Sequence, residues 1–166
     1  MNSMRKQFNR QSIRLKGYDY SREGLYFITI CTQDRMFLFG NIQNHVMTLN
    51  PFGIIADEQW HLLPQRFPNI DLGAFIVMPN HIHGIIGIRA TVKVSPTLGQ
   101  IIGAYKSRVI HECLELAKIK DKFLGKLWQR NYYEHIIRNE NDLIRIQKYI
   151  HDNPSNWTHD KLFPSS

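Results

Sequence analysis

Cysteine is scarce in this chain. Its 166 residues contain two, Cys31 and Cys113. Neither stands in a Cys-x-x-Cys pair, which argues against a disulfide framework and against a thiolate zinc site. A reducing cytoplasm is the expected compartment. Long apolar runs are missing as well: no stretch approaches the roughly 20 residues of a membrane span. The first residues carry Arg5, Lys6, Arg10, Arg14 and Lys16 with no apolar core between them, so no signal peptide is expected. There is no internal repeat, no low-complexity segment and no Gly-rich phosphate cradle.

Acidic residues are in the minority. Lys plus Arg number 21 against 14 Asp plus Glu, a formal charge of +7 and a pI near 9.5. That balance favours an anionic partner, of which nucleic acid is the commonest, although an ordinary basic protein has the same balance. With 43% hydrophobic and 21% charged residues the composition is that of a soluble globular chain. The length suits one domain over residues 1–166, with a basic arm at 1–22 and a C-terminal tail at 155–166.

The periodicity gives an element order. Leu25 to Thr32 is rich in β-branched and aromatic residues and reads as a buried strand. Residues 33–50 read as loop with at most one short strand, and Asn50-Pro51-Phe52-Gly53 as a turn. A helix is expected from about Ile54 to Leu63, then a strand over 71–77. Met78-Pro79-Asn80 is turn material, and a second strand runs from His81 to Ile88. Thr97 is placed to cap a helix over Leu98 to about Lys118. Residues 132–137 alternate as a strand. Asn139 or Asn141 caps a last helix that ends at Asn153-Pro154, because a residue before proline avoids the helical region. The order β-α-β-β-α-β-α implies an α+β fold of the ferredoxin-like or RRM-like kind. It pairs an antiparallel sheet, helices on one face, with a separate C-terminal helix. An open sheet face is then a natural bed for a nucleic acid strand.

Chemistry gathers around Pro79-Asn80-His81-Ile82-His83-Gly84. Side chains on a strand alternate faces, so His81 and His83 point the same way, with Cα atoms roughly 6–7 Å apart. Two imidazoles so placed can share a metal ion, or can be half-exposed polar residues. A catalytic metal needs a further protein ligand and an open position. The last helix offers one. Leu143, Ile146 and Ile150 form its apolar stripe, while Arg145, Tyr149 and Asn153 recur every fourth residue on another face. There, Asn153 has an oxygen to give, Tyr149 is a candidate nucleophile, and Arg145 is a cation able to favour its phenolate. The same face also reads as an ordinary amphipathic surface with a boundary tyrosine and a capping asparagine.

Three motifs occur in order: Pro79-Asn80-His81-Ile82-His83, then Trp128-Gln129-Arg130-Asn131-Tyr132-Tyr133-Glu134-His135-Ile136-Ile137-Arg138-Asn139, then Tyr149-Ile150-His151-Asp152-Asn153-Pro154. Together they resemble the REP-associated tyrosine transposases, single-tyrosine HUH transposases of insertion sequences. The likeness runs from about Leu25 to Trp157. It implies that His81, His83 and Asn153 bind a divalent metal, Mg²⁺ or Mn²⁺, and that Tyr149 on a C-terminal catalytic helix is the nucleophile. It implies cleavage and transfer of single-stranded DNA carrying an imperfect-palindrome hairpin, by a monomer or a homodimer. Relatives often carry Gly-Thr ahead of the first strand's aromatic residue, where this chain has Gly24-Leu25. Candidate phosphate contacts are Arg14, Lys106, Arg108, Lys126, Arg130 and Arg145. Two other readings remain from the residues: a non-catalytic single-strand binder stacking bases on Tyr26, Phe27, Tyr132 and Tyr133, and a nuclease that hydrolyses with no covalent intermediate.

Overall fold

A computed structural model describes residues 23–90 and 94–164. The basic arm, Arg14 included, lies outside the described residues. Ten elements follow in order: β1 (Gly24–Cys31), β2 (Gly40–Gln43), β3 (Val46–Leu49), α1 (Pro51–His61), α2 (Leu63–Arg66), β4 (Ile70–Met78), β5 (His81–Ile88), α3 (Leu98–Ile119), β6 (Tyr133–Ile137) and α4 (Glu140–Asp152). Four strands form an antiparallel sheet in the order β4-β5-β1-β6. With two helical crossovers, that is the ferredoxin-like arrangement expected from the element order.

Period-two alternation sorts the central strands. Tyr26, Ile28 and Ile30 of β1 and Ile82, Ile86 and Ile88 of β5 enter the main core under α1 and α3. Phe27 and Ile85 point the other way and form a smaller core with Ile137, Ile146 and Ile150. So α1 and α3 cover one face and α4 packs on the other. The apolar stripe read on α4 is the one that docks. The sheet face anticipated as an open bed for nucleic acid is therefore largely roofed by α4.

Gly84 fixes how close the main core lies to the histidine pair. A Cβ on it would stand 2.3 Å from Cζ2 of Trp60, so the indole of α1 rests directly on the β5 backbone. Trp60 also stacks on Phe75, ring centroids 4.6 Å apart. Tyr105 of α3 meets Trp60 edge-on and donates its hydroxyl to the Ala56 carbonyl, joining α3 to α1.

Two local expectations need correction. Residues 33–50 hold a two-stranded hairpin, β2 with β3, where loop with at most one short strand was expected. Its turn uses Asn44 and His45, both at positive φ, and lacks the glycine that normally advertises such a turn. The Asn50-Pro51-Phe52-Gly53 segment is the start of α1. Asn50 caps it by accepting from the Gly53 N–H, and Pro51 fills a first-turn position where no N–H is needed. In α3, Thr97 and Gln100 form a reciprocal capping box.

Candidate catalytic and metal site

The site begins with register. Thr29 of β1 lies opposite His83, and Cys31 opposite His81. All four belong to the face that α4 covers. His81 and His83 are both buried, and their Nε2 atoms are 3.0 Å apart.

Each outer nitrogen has an oxygen partner. His81 Nδ1 lies 2.7 Å from Asn80 Oδ1, and His83 Nδ1 lies 2.8 Å from Thr29 Oγ1. The Asn80 amide is fixed by its own bonds, since Nδ2 donates to the carbonyls of Leu162 and Arg35. Its Oδ1 can only accept, so neutral His81 carries its proton on Nδ1 and aims the Nε2 lone pair at His83. The short contact is then a hydrogen bond donated by His83 Nε2 to His81 Nε2. The Thr29 hydroxyl donates to His83 Nδ1 in that state. If a cation replaced the bridging proton, His83 would shift its own proton to Nδ1 and Thr29 would turn to accept it. Such an oxygen partner behind each imidazole is the usual support of a metal-binding histidine.

Charge supports the same reading. Burial drives the His81 imidazole down to about 4, partly opposed by the Asp160 carboxylate. Burial, with the neighbouring His81, holds His83 well below the usual imidazole range. Both rings are neutral near pH 7, the state in which they ligate metals.

Helix α4 delivers the remaining groups. Asn139 caps it by accepting from the Asp142 N–H, and Asn153 is its C-terminal cap. Tyr149 Oη lies 3.4 Å from His83 Nε2, and its ring meets Phe27 edge-on. Asn153 is buried, and its Oδ1 has no hydrogen-bond partner. A buried amide oxygen left unpaired costs on the order of 1–3 kcal/mol, and a cation beside the imidazoles would satisfy it. The residues present therefore fit a divalent ion.

One participant was missed by the sequence reading. Asp160 stands in the segment expected as a tail, just past the 3₁₀ turn Trp157–His159. Its Oδ2 accepts from Tyr149 Oη at 3.2 Å and from Asn153 Nδ2 at 2.9 Å. The ligand atoms of His81, His83 and Asp160 lie within 4.8 Å of one another. Nothing in the local sequence marks this aspartate, because its place depends on how Trp157 packs.

The basic candidates behave differently from one another. Arg145 donates to Asp142 Oδ1 at 2.5 Å, and the Tyr149 phenol is pushed up to about 12 by burial and by Asp160. The idea that Arg145 favours the phenolate is thus not supported in this state. Lys106 donates to the carbonyls of Gln129 and Arg130, fastening the loop after α3. Arg108 pairs with Glu112 at 2.9 Å. Lys126 and Arg130 are exposed. A cleft of about 450 Å³ opens beside Tyr149, walled by Phe27, Tyr133, His135, Arg145 and Lys161.

Comparison with known proteins decides the family. The family described as "Transposase IS200 like" matches residues 65–153. The chain belongs to the IS200-like transposases. A protein of Haemophilus influenzae described only as uncharacterized is 40% identical over 173 residues, 93% of each chain. A second protein from that organism, provisionally named a REP-associated tyrosine transposase, is 25% identical over 138 residues, 82% of this chain and 73% of that one. Among solved structures, a REP-associated tyrosine transposase bound to a REP hairpin superposes with a TM-score of 0.65 at 21% identity. The match covers 89% of this chain and 76% of that one. This last likeness bears on the fold. Among the described residues no helix is long and apolar enough to cross a membrane.

Proposed function

We propose that this IS200-like transposase cleaves and rejoins single-stranded DNA through a covalent 5′-phosphotyrosine on Tyr149. The observation that carries the reading is the convergence of Tyr149, Asn153 and two neutral imidazoles on one point. The Tyr149 oxygen lies 3.4 Å from His83 Nε2. His81, His83 and Asn153 would hold a divalent ion, Mg²⁺ or Mn²⁺, which when bound supplies Lewis-acid charge at the scissile phosphate.

Tyr149 Oη attacks phosphorus in line. The Oη–P bond forms and the P–O3′ bond breaks, and the phenol's proton is balanced by the proton taken up on the leaving 3′-oxygen. The phosphodiester's bond energy is kept in the adduct, so a 3′-hydroxyl from another end can reverse the step and join strands. Thr29 and Asn80 hold the imidazoles. The strand reaches Tyr149 along the cleft between Tyr133, Arg145 and Lys161, and exposed Lys126 and Arg130 meet phosphates. The DNA is a hairpin with single-stranded flanks; the solved relative was bound to a REP hairpin. The reading needs no residue from a second copy of the chain.

The binder alternative requires an exposed stacking surface. Tyr26 and Tyr132 are 0% and 5% exposed, Phe27 is 8% exposed, and Tyr133 alone of the four is open, at 54%. That distribution favours the enzyme.

The test is incubation of the protein with hairpin DNA and Mn²⁺. A protein–DNA adduct that survives denaturant is expected on the peptide containing Tyr149. Tyr149→Phe should keep hairpin binding and lose both adduct and cleavage. Cleavage by Tyr149→Phe at the wild-type rate would point to a hydrolytic nuclease instead.

A further inference from the structure

Two imidazoles and an amide make a neutral ligand set, and imidazole by itself suits zinc-like ions better than magnesium or manganese. The fold supplies a carboxylate at the same point. We propose that Asp160 is an anionic metal ligand, and that ion binding locks the C-terminal segment 157–163 against the site. The inference rests on the metal-site reading above and goes beyond it. The family match runs over residues 65–153, and Asp160 lies beyond it.

The placement of Asp160 is built rather than incidental. Trp157 is 6% exposed, and its ring sits 5.8 Å from that of His81. Phe37 and Phe163 flank the indole at 5.7 Å and 5.2 Å. The turn after it is closed by Leu162 N–H donating to Asp160 Oδ1 at 2.7 Å. The Leu162 carbonyl accepts from Asn80 Nδ2 at 2.8 Å. Asn80 therefore sets the His81 tautomer with one end of its amide and ties down the Asp160 turn with the other.

With Oδ1 occupied by that backbone bond, Oδ2 is the atom turned toward the imidazoles. It also holds Tyr149 Oη and Asn153 Nδ2. Adding one carboxylate changes the ligand set from neutral to singly negative and gives it a hard oxygen, the kind of donor magnesium and manganese prefer. The arrangement becomes two histidines and a carboxylate, with the unpartnered Asn153 Oδ1 beside them. Because the ligand is carried on a turn at the end of the chain, the ion and the segment stabilise each other. Bound to the same oxygen, the Tyr149 hydroxyl is positioned by the ligand that holds the ion.

The test measures metal binding without DNA. Mn²⁺ association is followed by electron paramagnetic resonance on the full chain, on Asp160→Asn and on His81→Asn, with Zn²⁺ titrated in parallel. Wild type should bind Mn²⁺, His81→Asn should not, and Asp160→Asn should bind it at least about tenfold more weakly, with a smaller loss for Zn²⁺. Mn²⁺ should also slow proteolysis after Asn153 in wild type and leave it unchanged in Asp160→Asn. Because the substitution is nearly isosteric, matching thermal unfolding of the metal-free proteins reports an intact fold. Equal Mn²⁺ affinity of wild type and Asp160→Asn, with loss in His81→Asn, would overturn the ligand role and leave the histidine site standing. No Mn²⁺ binding by wild type would overturn both.

Discussion

The two faces of the sheet are made from alternate residues of the same strands, yet they are built to different ends. Under α1 and α3 the side chains are large, apolar and sealed, and the polar atoms that enter are few. Under α4 the buried cluster is five residues, and next to it lie two buried histidines, a half-exposed tyrosine and a cleft. His83 and Gly84 show the division at its sharpest. One residue aims an imidazole at the Tyr149 hydroxyl, and the next gives up its side chain so that Trp60 can rest on the strand. A rigid strand is what holds two imidazoles at 3.0 Å, and the rigidity comes from the opposite face.

Removing that support should give the largest effect on stability. Trp60→Ala deletes a fully buried indole that touches Phe75, Tyr105 and the β5 backbone. A loss of about 3–5 kcal/mol is expected from chemical denaturation, a large share of a small domain's total. Adduct formation per folded molecule should fall as well, because β5 loses its backing. Full adduct yield from the folded fraction would mean that the histidine face stands without the other.

Acid should separate the faces next. On the α4 side, the depressed imidazole of His81 means that the unfolded chain takes up protons first as pH falls. Stability is complete above about 6.5 and declines as pH drops toward about 4, with His83 acting in the same direction. On the other face burial pushes the Tyr105 phenol well up and the Cys113 thiol to about 12, so neither titrates below neutrality. The stability from the Asp142 carboxylate, held low by His135 and Arg145, is fully present above the ordinary carboxylate range and is lost only as pH falls below it. Unfolding in chelator between pH 6.5 and 4 should therefore lose stability in wild type and less in His81→Gln. An unchanged slope in the variant would place the acid sensitivity elsewhere.

The sequence made one face more legible than the other. Strand periodicity was enough to put His81 and His83 together, and helical periodicity to dock α4 by Leu143, Ile146 and Ile150, because both follow from local geometry. Thr97 announced its helix for the same reason, as did Asn139, one of two candidates with Asn141. What was hidden depends on contacts between distant segments. Asp160 reaches the site only because Trp157 packs on His81, seventy-six residues earlier in the chain. Lys106 looks like a phosphate contact in sequence and turns out to hold two carbonyls of a loop. The β2–β3 hairpin escaped because its turn puts Asn44 and His45 at positive φ without the glycine that usually marks such a turn.

The finest test of the comparison uses two helix caps of the same kind. Thr97 caps α3 by accepting from the Gln100 N–H, and Asn139 caps α4 by accepting from the Asp142 N–H. Replacing either with alanine removes one side-chain bond at an exposed helix end, and each should cost about 1 kcal/mol. The functional outcomes should differ. Helix α3 belongs to the sealed face, so Thr97→Ala should leave adduct formation per folded molecule unchanged. Helix α4 carries Tyr149 and Asn153, and its first turn is also where Asp142 receives His135 and Arg145. Loosening that turn lets the helix shift along the cleft, and small displacements of a nucleophile cost rate steeply. Asn139→Ala should therefore match Thr97→Ala in denaturation and fall several-fold below it in single-turnover cleavage. Equal cleavage by the two variants would show that the position of Tyr149 is set from the C-terminal end of α4, through Asn153 and Asp160, and not from its cap.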